Sequence, residues 1–329
     1  MDATEEPMIR LEGVGKTYPD GTVAVGELDL DVPRGAIVCL VGPSGCGKST
    51  TLRMVNRLIE PTSGRIFLDG EDVTHIDPVQ LRRGIGYVIQ QVGLFPHQKV
   101  LPNVMTVPKL LGEPDRVARE RASELMELVG LPVAEFGDKY PDQLSGGQRQ
   151  RVGVARALAA NPPVLLMDEP FGAVDPIVRL RLQDEFLRLQ RELGKTVMFV
   201  THDIEEAVRL GDLVAVFAAG GRLAQYATPA EVLGAPADDF VAEFVGESRG
   251  LRRMAVTPID PAHLETLDGI TAADLGGTID VSSSLGDAMS MMMREDKPTV
   301  GVTDRARILG VLTPNGVHAM LRASVNDQV

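Results

Sequence analysis

A chain of 329 residues with an apolar fraction of 44% is long enough for one large domain and a small one, each with its own core. Its formal charge of −13 argues against a protein that works chiefly by neutralising nucleic-acid phosphates, which takes a basic face and a high pI. No run reaches the roughly 18 apolar residues that cross a bilayer, and the N-terminal MDATEEPMIR has neither the basic start nor the apolar stretch of a signal peptide, so the chain is expected in the cytosol.

Two antiparallel segments, Ile9–Tyr18 and Val23–Val32, are predicted first, separated by the turn-forming Pro19-Asp20-Gly21. The apolar run Ala36–Val41 reads as a buried strand leading through a glycine-rich loop into a helix from about Lys48 to Ile59. Helical spacing recurs over Arg116–Val129 and Gly147–Ala159, a helical insert between two sheet-forming halves. Beyond it Val164–Asp168, Thr196–Val200 and Leu213–Phe217 are expected as buried parallel strands, with a helix over Pro176–Glu192 between the first two. Thr228-Pro-Ala-Glu231 combines an N-cap threonine, a proline at the first helical position and a capping glutamate, which starts a short helix. The first domain is expected to span 1–246, an irregular linker 247–277, and a small second domain 278–325 with the order strand, helix, two strands, helix. Cys39 and Cys46 are the only cysteines, too few for a disulfide scaffold and without partners for a metal site; they read as a core strand residue and a small loop residue.

Gly42-Pro43-Ser44-Gly45-Cys46-Gly47-Lys48-Ser49-Thr50 matches G-x-x-x-x-G-K-[ST] and lies between a strand and a helix, as the motif requires. Glycines let backbone N–H groups approach phosphate, the helix N-terminus adds partial positive charge, Lys48 supplies a point charge at the β/γ oxygens, and the Ser49 hydroxyl suits Mg²⁺. Val164-Leu-Leu-Met-Asp168-Glu169 places two carboxylates at the C-terminal edge of a buried strand, where ligands bind in such sheets. Asp168 is expected to hold Mg²⁺ and Glu169 to activate the attacking water, the two acidic roles that phosphoryl transfer needs.

With Leu144-Ser145-Gly146-Gly147-Gln148 and the following RQRVGVARAL, the chain resembles the ABC ATPases, whose signature motif and helix these are. The resemblance covers the first three quarters of the chain. It implies an α/β P-loop NTPase fold of ABC type, a mixed sheet core with an antiparallel β subdomain and a helical insert. It also implies an adenine-stacking role for Tyr18, a Q-loop at Gln90 that links metal, water and permease, a D-loop over Phe171–Asp175, and a γ-phosphate contact for His202. Val174 stands where leucine is usual in the D-loop. In the family, ATP lies between the phosphate loop of one subunit and the signature motif of another, so Ser145 and Gly147 would complete a partner's site. One copy of each motif implies a second nucleotide-binding subunit, most simply another copy of this chain. ABC proteins of chromosomes and DNA repair interrupt the domain with a long coiled coil, for which the stretch from Lys48 to Leu144 has no room, and those of translation carry two nucleotide domains in one chain; no nucleic-acid partner is expected.

Ile85–His97, with Gln90 and Pro96, and Leu165–Ala173 resemble importer subunits for quaternary amines and osmoprotectants such as glycine betaine, carnitine, choline or proline betaine; another importer, for amino acids or a related solute, is the alternative. The implied partners are transmembrane permease subunits and, through them, an extracytoplasmic binding protein, which would place the chain on the inner face of the membrane. Residues after Gln90, among them Val92, Leu94 and Phe95, and the insert up to Lys139 are expected to meet the permease. Val281–Ala288, Pro298–Val302 and Gly310–Pro314 resemble one CBS motif, an adenosine-nucleotide-sensing module, with a first copy lost or degenerate within Leu251–Ile279. Acidic residues outnumber basic ones after Met254, so attachment of this tail to anionic lipid is not expected. Met289 and Met291–Met293 read as a packed or dimer-facing helix surface rather than a soft-metal site.

Overall fold

A computed structural model describes residues 6–89, 93–172, 174–246, 249–267, 274–305 and 307–326. The described residues form two compact units, one ending at Leu223 and the other beginning at Ala224.

In the first unit, β1 (Ile9–Thr17) and β2 (Val23–Val32) pair antiparallel, from Ile9 opposite Val32 to Thr17 opposite Val23. β3 (Ile37–Val41) leads to α1 (Lys48–Val55), and β4 (Ser63–Leu68) and β5 (Glu71–Asp72) complete a four-stranded sheet in the order β2-β1-β4-β5. α2 (Pro78–Arg83) precedes β6 (Ile85–Val88). The insert holds α3 (Val100–Val104), α4 (Thr106–Leu110), α5 (Asp115–Leu128), α6 (Val133–Phe136) and α7 (Gly146–Leu158). Then follow β7 (Val164–Asp168), α8 (Pro176–Leu193), β8 (Thr196–Val200), α9 (Ile204–Leu210) and β9 (Leu213–Ala218), and β10 (Arg222–Ala227) begins in this unit and ends in the next.

The second sheet has the order β10-β9-β3-β8-β7-β6. β3 pairs parallel with both β8 and β9, and β7 pairs parallel with both β8 and β6. Every residue of β3, β7 and β8 is buried, which explains why IVCLV, VLLMD and TVMFV are almost unbroken apolar runs: a parallel sheet covered on both faces has no solvent side to alternate with. Phe199 of β8 packs with Phe171 and Phe186, ring centroids 5.9 and 6.3 Å away.

Two expectations are corrected here. α1 stops at Val55, short of Ile59, because Arg57 takes a left-handed backbone (φ 49°) and the Leu58 N–H turns back to the Arg53 carbonyl at 2.8 Å. The stretch 247–277 is not irregular throughout. α12 (Arg249–Val256) lies within it, and Glu265 exchanges both backbone hydrogen bonds with Val311 at 2.9 Å.

In the second unit, the Thr228 side chain and Glu231 form the expected capping box at the start of α10 (Pro229–Gly234). α10 packs with α11 (Asp239–Val245) and α12, so compactness groups these helices with the C-terminal unit. β11 (Thr278–Asp280), α13 (Leu285–Arg294), β12 (Val300–Asp304), β13 (Arg307–Leu312) and α14 (Pro314–Asn326) follow. β12 lies between a parallel β11 and an antiparallel β13. α12 and α13 approach closely at Gly286, where a Cβ would stand 3.1 Å from the Ala255 Cα. Of the four methionines of α13, Met292 is in the core, Met289 and Met291 pack against it, and Met293 is exposed. Among the described residues no helix is long and apolar enough to cross a membrane.

Candidate functional site

The loop after β3 is shaped by backbone that side chains would not permit. Gly42 has φ +153° and a Cβ there would lie 2.2 Å from the Phe217 carbonyl of β9; Gly47 has φ +101° and a Cβ would lie 2.4 Å from the Ala24 carbonyl of β2. Both positions demand glycine. The second also shows that β2 presses on the loop, which brings the β1–β2 hairpin to it. Tyr18 stands at the hairpin turn, half-buried, with the Lys16 ammonium 5.5 Å from its ring centroid. Pro43, Ser44 and Gly45 are exposed at the crest of the loop, while Cys46 is buried beneath it. Buried Lys48 donates its Nζ to the Gly42 and Pro43 carbonyls at 2.7 and 2.9 Å and reaches the Cys46 Sγ at 3.5 Å, so the ammonium is aimed into the loop. No side chain caps α1, so the first N–H groups of the helix, from Lys48 to Thr50, face the loop.

The acidic edge comes from the neighbouring strands. Buried Asp168, at the end of β7, accepts a hydrogen bond from the Ser49 hydroxyl at 2.7 Å on Oδ1, and the Arg53 guanidinium lies 3.7 Å from Oδ2. Two hard oxygen ligands side by side suit Mg²⁺, which prefers a few protein oxygens and substrate phosphates. Glu169 follows in a left-handed backbone conformation, φ 46°, with its N–H donated to the Val200 carbonyl of β8 at 3.0 Å. That geometry turns its carboxylate toward His202, whose Nδ1 is 3.2 Å from Oε1. Strands β3, β7 and β8 thus deliver Lys48 and Ser49, Asp168 and Glu169, and His202 at one sheet edge. Burial, then the Asp168 carboxylate, push the Tyr87 hydroxyl above its ordinary value.

Ser145 and Gly146 are exposed. Ser145 caps α7: its hydroxyl accepts the Gln148 N–H at 3.2 Å and its own N–H is donated to the Gln148 Oε1 at 2.8 Å. A Cβ on Gly147 would lie 3.2 Å from the Val178 Cγ1 of α8. Asp175 caps α8, accepting the Ile177 N–H at 3.0 Å. Gln90 and Val92 lie outside the described residues. Phe95 is exposed, its backbone held by buried Asn103, whose Oδ1 accepts the Phe95 N–H at 2.7 Å.

Reading the sequence missed Arg53 and Tyr87 beside Asp168. Arg53 was legible: it lies four residues after Ser49 on α1 and so shares its face. It also missed the groups behind His202, which become neighbours only through packing of α8 and α9.

The profile described as ABC transporter matches residues 25–172. The glycine betaine/carnitine/choline transport ATP-binding protein OpuCA of Bacillus subtilis is 49% identical over 302 residues, covering 92% of this chain and 77% of that protein. The glycine betaine uptake system ATP-binding protein YehX of Escherichia coli is 47% identical over 289 residues, covering 87% and 91%. A solved dimeric ATP-binding cassette in a post-hydrolysis state, bound to ADP and Pi, superposes with a TM-score of 0.61 at 34% identity, covering 68% of this chain and 99% of that one.

Proposed function

The chain belongs to the ATP-binding subunits of ABC transporters, and we propose that two copies of it hydrolyse ATP between them to drive uptake of a quaternary-amine or betaine osmoprotectant. The observation that carries the reading is the convergence of the Ser49–Asp168 pair and the Glu169–His202 pair on one sheet edge beside a glycine loop. ATP phosphates take over the Lys48 ammonium from the loop carbonyls and receive N–H groups of the loop and of α1. Tyr18 stacks on the adenine. Ser49 and Asp168, with Gln90 as the further ligand the sequence suggests, would hold Mg²⁺, which would supply neutralisation of the charge that develops in phosphoryl transfer. Glu169 accepts the proton of the water that attacks the γ-phosphorus, and His202 orients that carboxylate and the γ-phosphate. Ser145 and Gly147 of a second copy donate to the same γ-phosphate, and Asp175 lies at the seam.

Exposed Phe95 and Leu110 form part of the surface that meets permease subunits, which would hold the chain on the inner face of the membrane. The cargo reading rests on the curated relatives, and the cargo itself is selected by the permease and a binding protein. The order β11-α13-β12-β13-α14 supports a single CBS-like regulatory unit.

Glu169→Gln tests the chemistry. It is expected to bind ATP as the wild type does, to hydrolyse it at least ~10²-fold more slowly, and to accumulate as a dimer in sedimentation; wild-type turnover would remove Glu169 from the role. ATPase of the reconstituted importer, challenged with glycine betaine, choline, carnitine and a set of amino acids, tests the cargo: stimulation by an amino acid alone would overturn it.

A further inference from the structure

Behind His202 lies a cluster of polar side chains that the hydrolytic reading does not use. Thr201, Gln183 and Glu206 are 1, 2 and 6% exposed, a burial that polar groups tolerate only when hydrogen-bonded. Gln183 of α8 donates its Nε2 to the Glu206 Oε1 of α9 at 2.9 Å. The Thr201 hydroxyl accepts the Asp203 N–H at 3.0 Å and faces the Glu206 carboxylate, which it helps hold down against the upward push of burial. The residues on both sides of His202 are therefore tied to each other, and Thr201 sets them against one carboxylate. Asp203 is held a second time: its Oδ1 caps α9 by accepting the Glu205 N–H at 2.8 Å, and its Oδ2 lies 3.9 Å from the Arg179 Nη1. Arg179 in turn donates its Nη2 to the Val174 carbonyl at 3.2 Å, in the loop that leads from Glu169 to Asp175.

We infer that Glu206 is a positioning residue for hydrolysis: with Thr201, Gln183 and Arg179 it joins the loop carrying His202 to the loop that follows Glu169, so that the two catalytic side chains hold one separation. The inference rests on the roles proposed above for Glu169 and His202. The physical reason lies in the acceptor pattern. A carboxylate offers two oxygens and no hydrogen, which suits the Gln183 amide donor and the facing Thr201 hydroxyl; an amide in its place would present a donor to one of them. Among the described residues Glu206 is hydrogen-bonded to neither the phosphate loop nor Asp168, so its loss acts on the chemical step rather than on nucleotide affinity.

The test is steady-state ATPase of the full chain in its assembled importer for Glu206→Ala, Thr201→Val and Thr201→Ser, each alone and combined with His202→Ala. Glu206→Ala and Thr201→Val are expected to lower kcat by at least ~10-fold with the KM for ATP within ~2-fold, since a displacement near 1 Å already costs catalysis heavily. Thr201→Ser, which keeps the hydroxyl, restores most of the loss. In the His202→Ala background the further effect of Glu206→Ala or Thr201→Val shrinks to less than ~2-fold, because groups that act through one another are not additive. An undiminished effect in that background, or a KM increase equal to the loss in kcat, overturns the inference. His202→Ala at wild-type kcat would instead refute the role of His202 itself, and the positioning role with it. Should Glu206→Ala fail to fold, the Val and Ser replacements of Thr201 carry the same comparison.

Discussion

Replacing Gly47 by alanine perturbs the phosphate loop through a single methyl group. The added Cβ would stand 2.4 Å from the Ala24 carbonyl oxygen and 3.1 Å from the Val25 Cγ2, where ordinary contact begins at 3.4 Å, so the loop or β2 must yield by about 1 Å. The φ of +101° adds a backbone cost on the order of 1–3 kcal/mol for a residue with a side chain. If that cost falls on the binding-competent loop, it converts to a loss of affinity of about 5- to 150-fold at 1.4 kcal/mol per factor of ten. Gly194, the left-handed cap of α8 at φ +58° with nothing within 4 Å of its virtual Cβ, is the control: alanine there costs about 1–2 kcal/mol of stability and leaves nucleotide affinity alone. The assay is equilibrium binding of a fluorescent ATP analogue with Mg²⁺ to the full chain, alongside thermal unfolding of both variants. Wild-type affinity in Gly47→Ala would refute the view that contact with β2 sets the shape of the loop.

Phe199→Ala removes a fully buried ring from the Phe171–Phe186–Phe199 cluster and is expected to cost about 3–5 kcal/mol in denaturant unfolding; a loss below about 1.5 kcal/mol would mean the cluster collapses onto the gap. A pH dependence follows from Glu206, whose carboxyl burial holds above the ordinary glutamate value of 4.5 against hydrogen bonds from Thr201 and Gln183. Because the folded value is the higher, the native state takes up the proton first as pH falls, and this group's contribution to stability rises between the raised value and 4.5 and is lost as pH climbs back through the raised value. Asp203, Arg179 and the Cys39 thiol also face Glu206 but are common to a Glu206→Gln variant. The difference in unfolding free energy between wild type and variant should therefore move in favour of the wild type as pH is lowered from neutral toward the ordinary value of 4.5, and a flat difference would refute it.

The parts of the site legible in the sequence are those set by short spacing. The loop, Asp168 and Glu169 are fixed by where a strand ends, and β3, β7 and β8 announce themselves as apolar runs because they are covered on both faces. What stayed hidden depends on contact between distant segments. α12 is held by tertiary packing against α13 at Gly286, and a helix of eight residues is too short to be marked by propensity alone. Gln183 and Glu206 are 23 positions apart, and neither looks unusual until α8 and α9 flank the same strand. The early end of α1 reflects a left-handed Arg57, a conformation that an arginine does not advertise.

The left-handed backbone of Glu169 has a consequence for engineering. Such a conformation costs a residue with a Cβ roughly 1–2 kcal/mol, and glycine adopts it freely. Selection for heat resistance alone would therefore favour glycine at 169, where strain would be relieved as the carboxylate disappears. Thermostability screens of this chain need a simultaneous assay of turnover, since on the role proposed for Glu169 a position that rewards relaxation is one a working enzyme must keep tense.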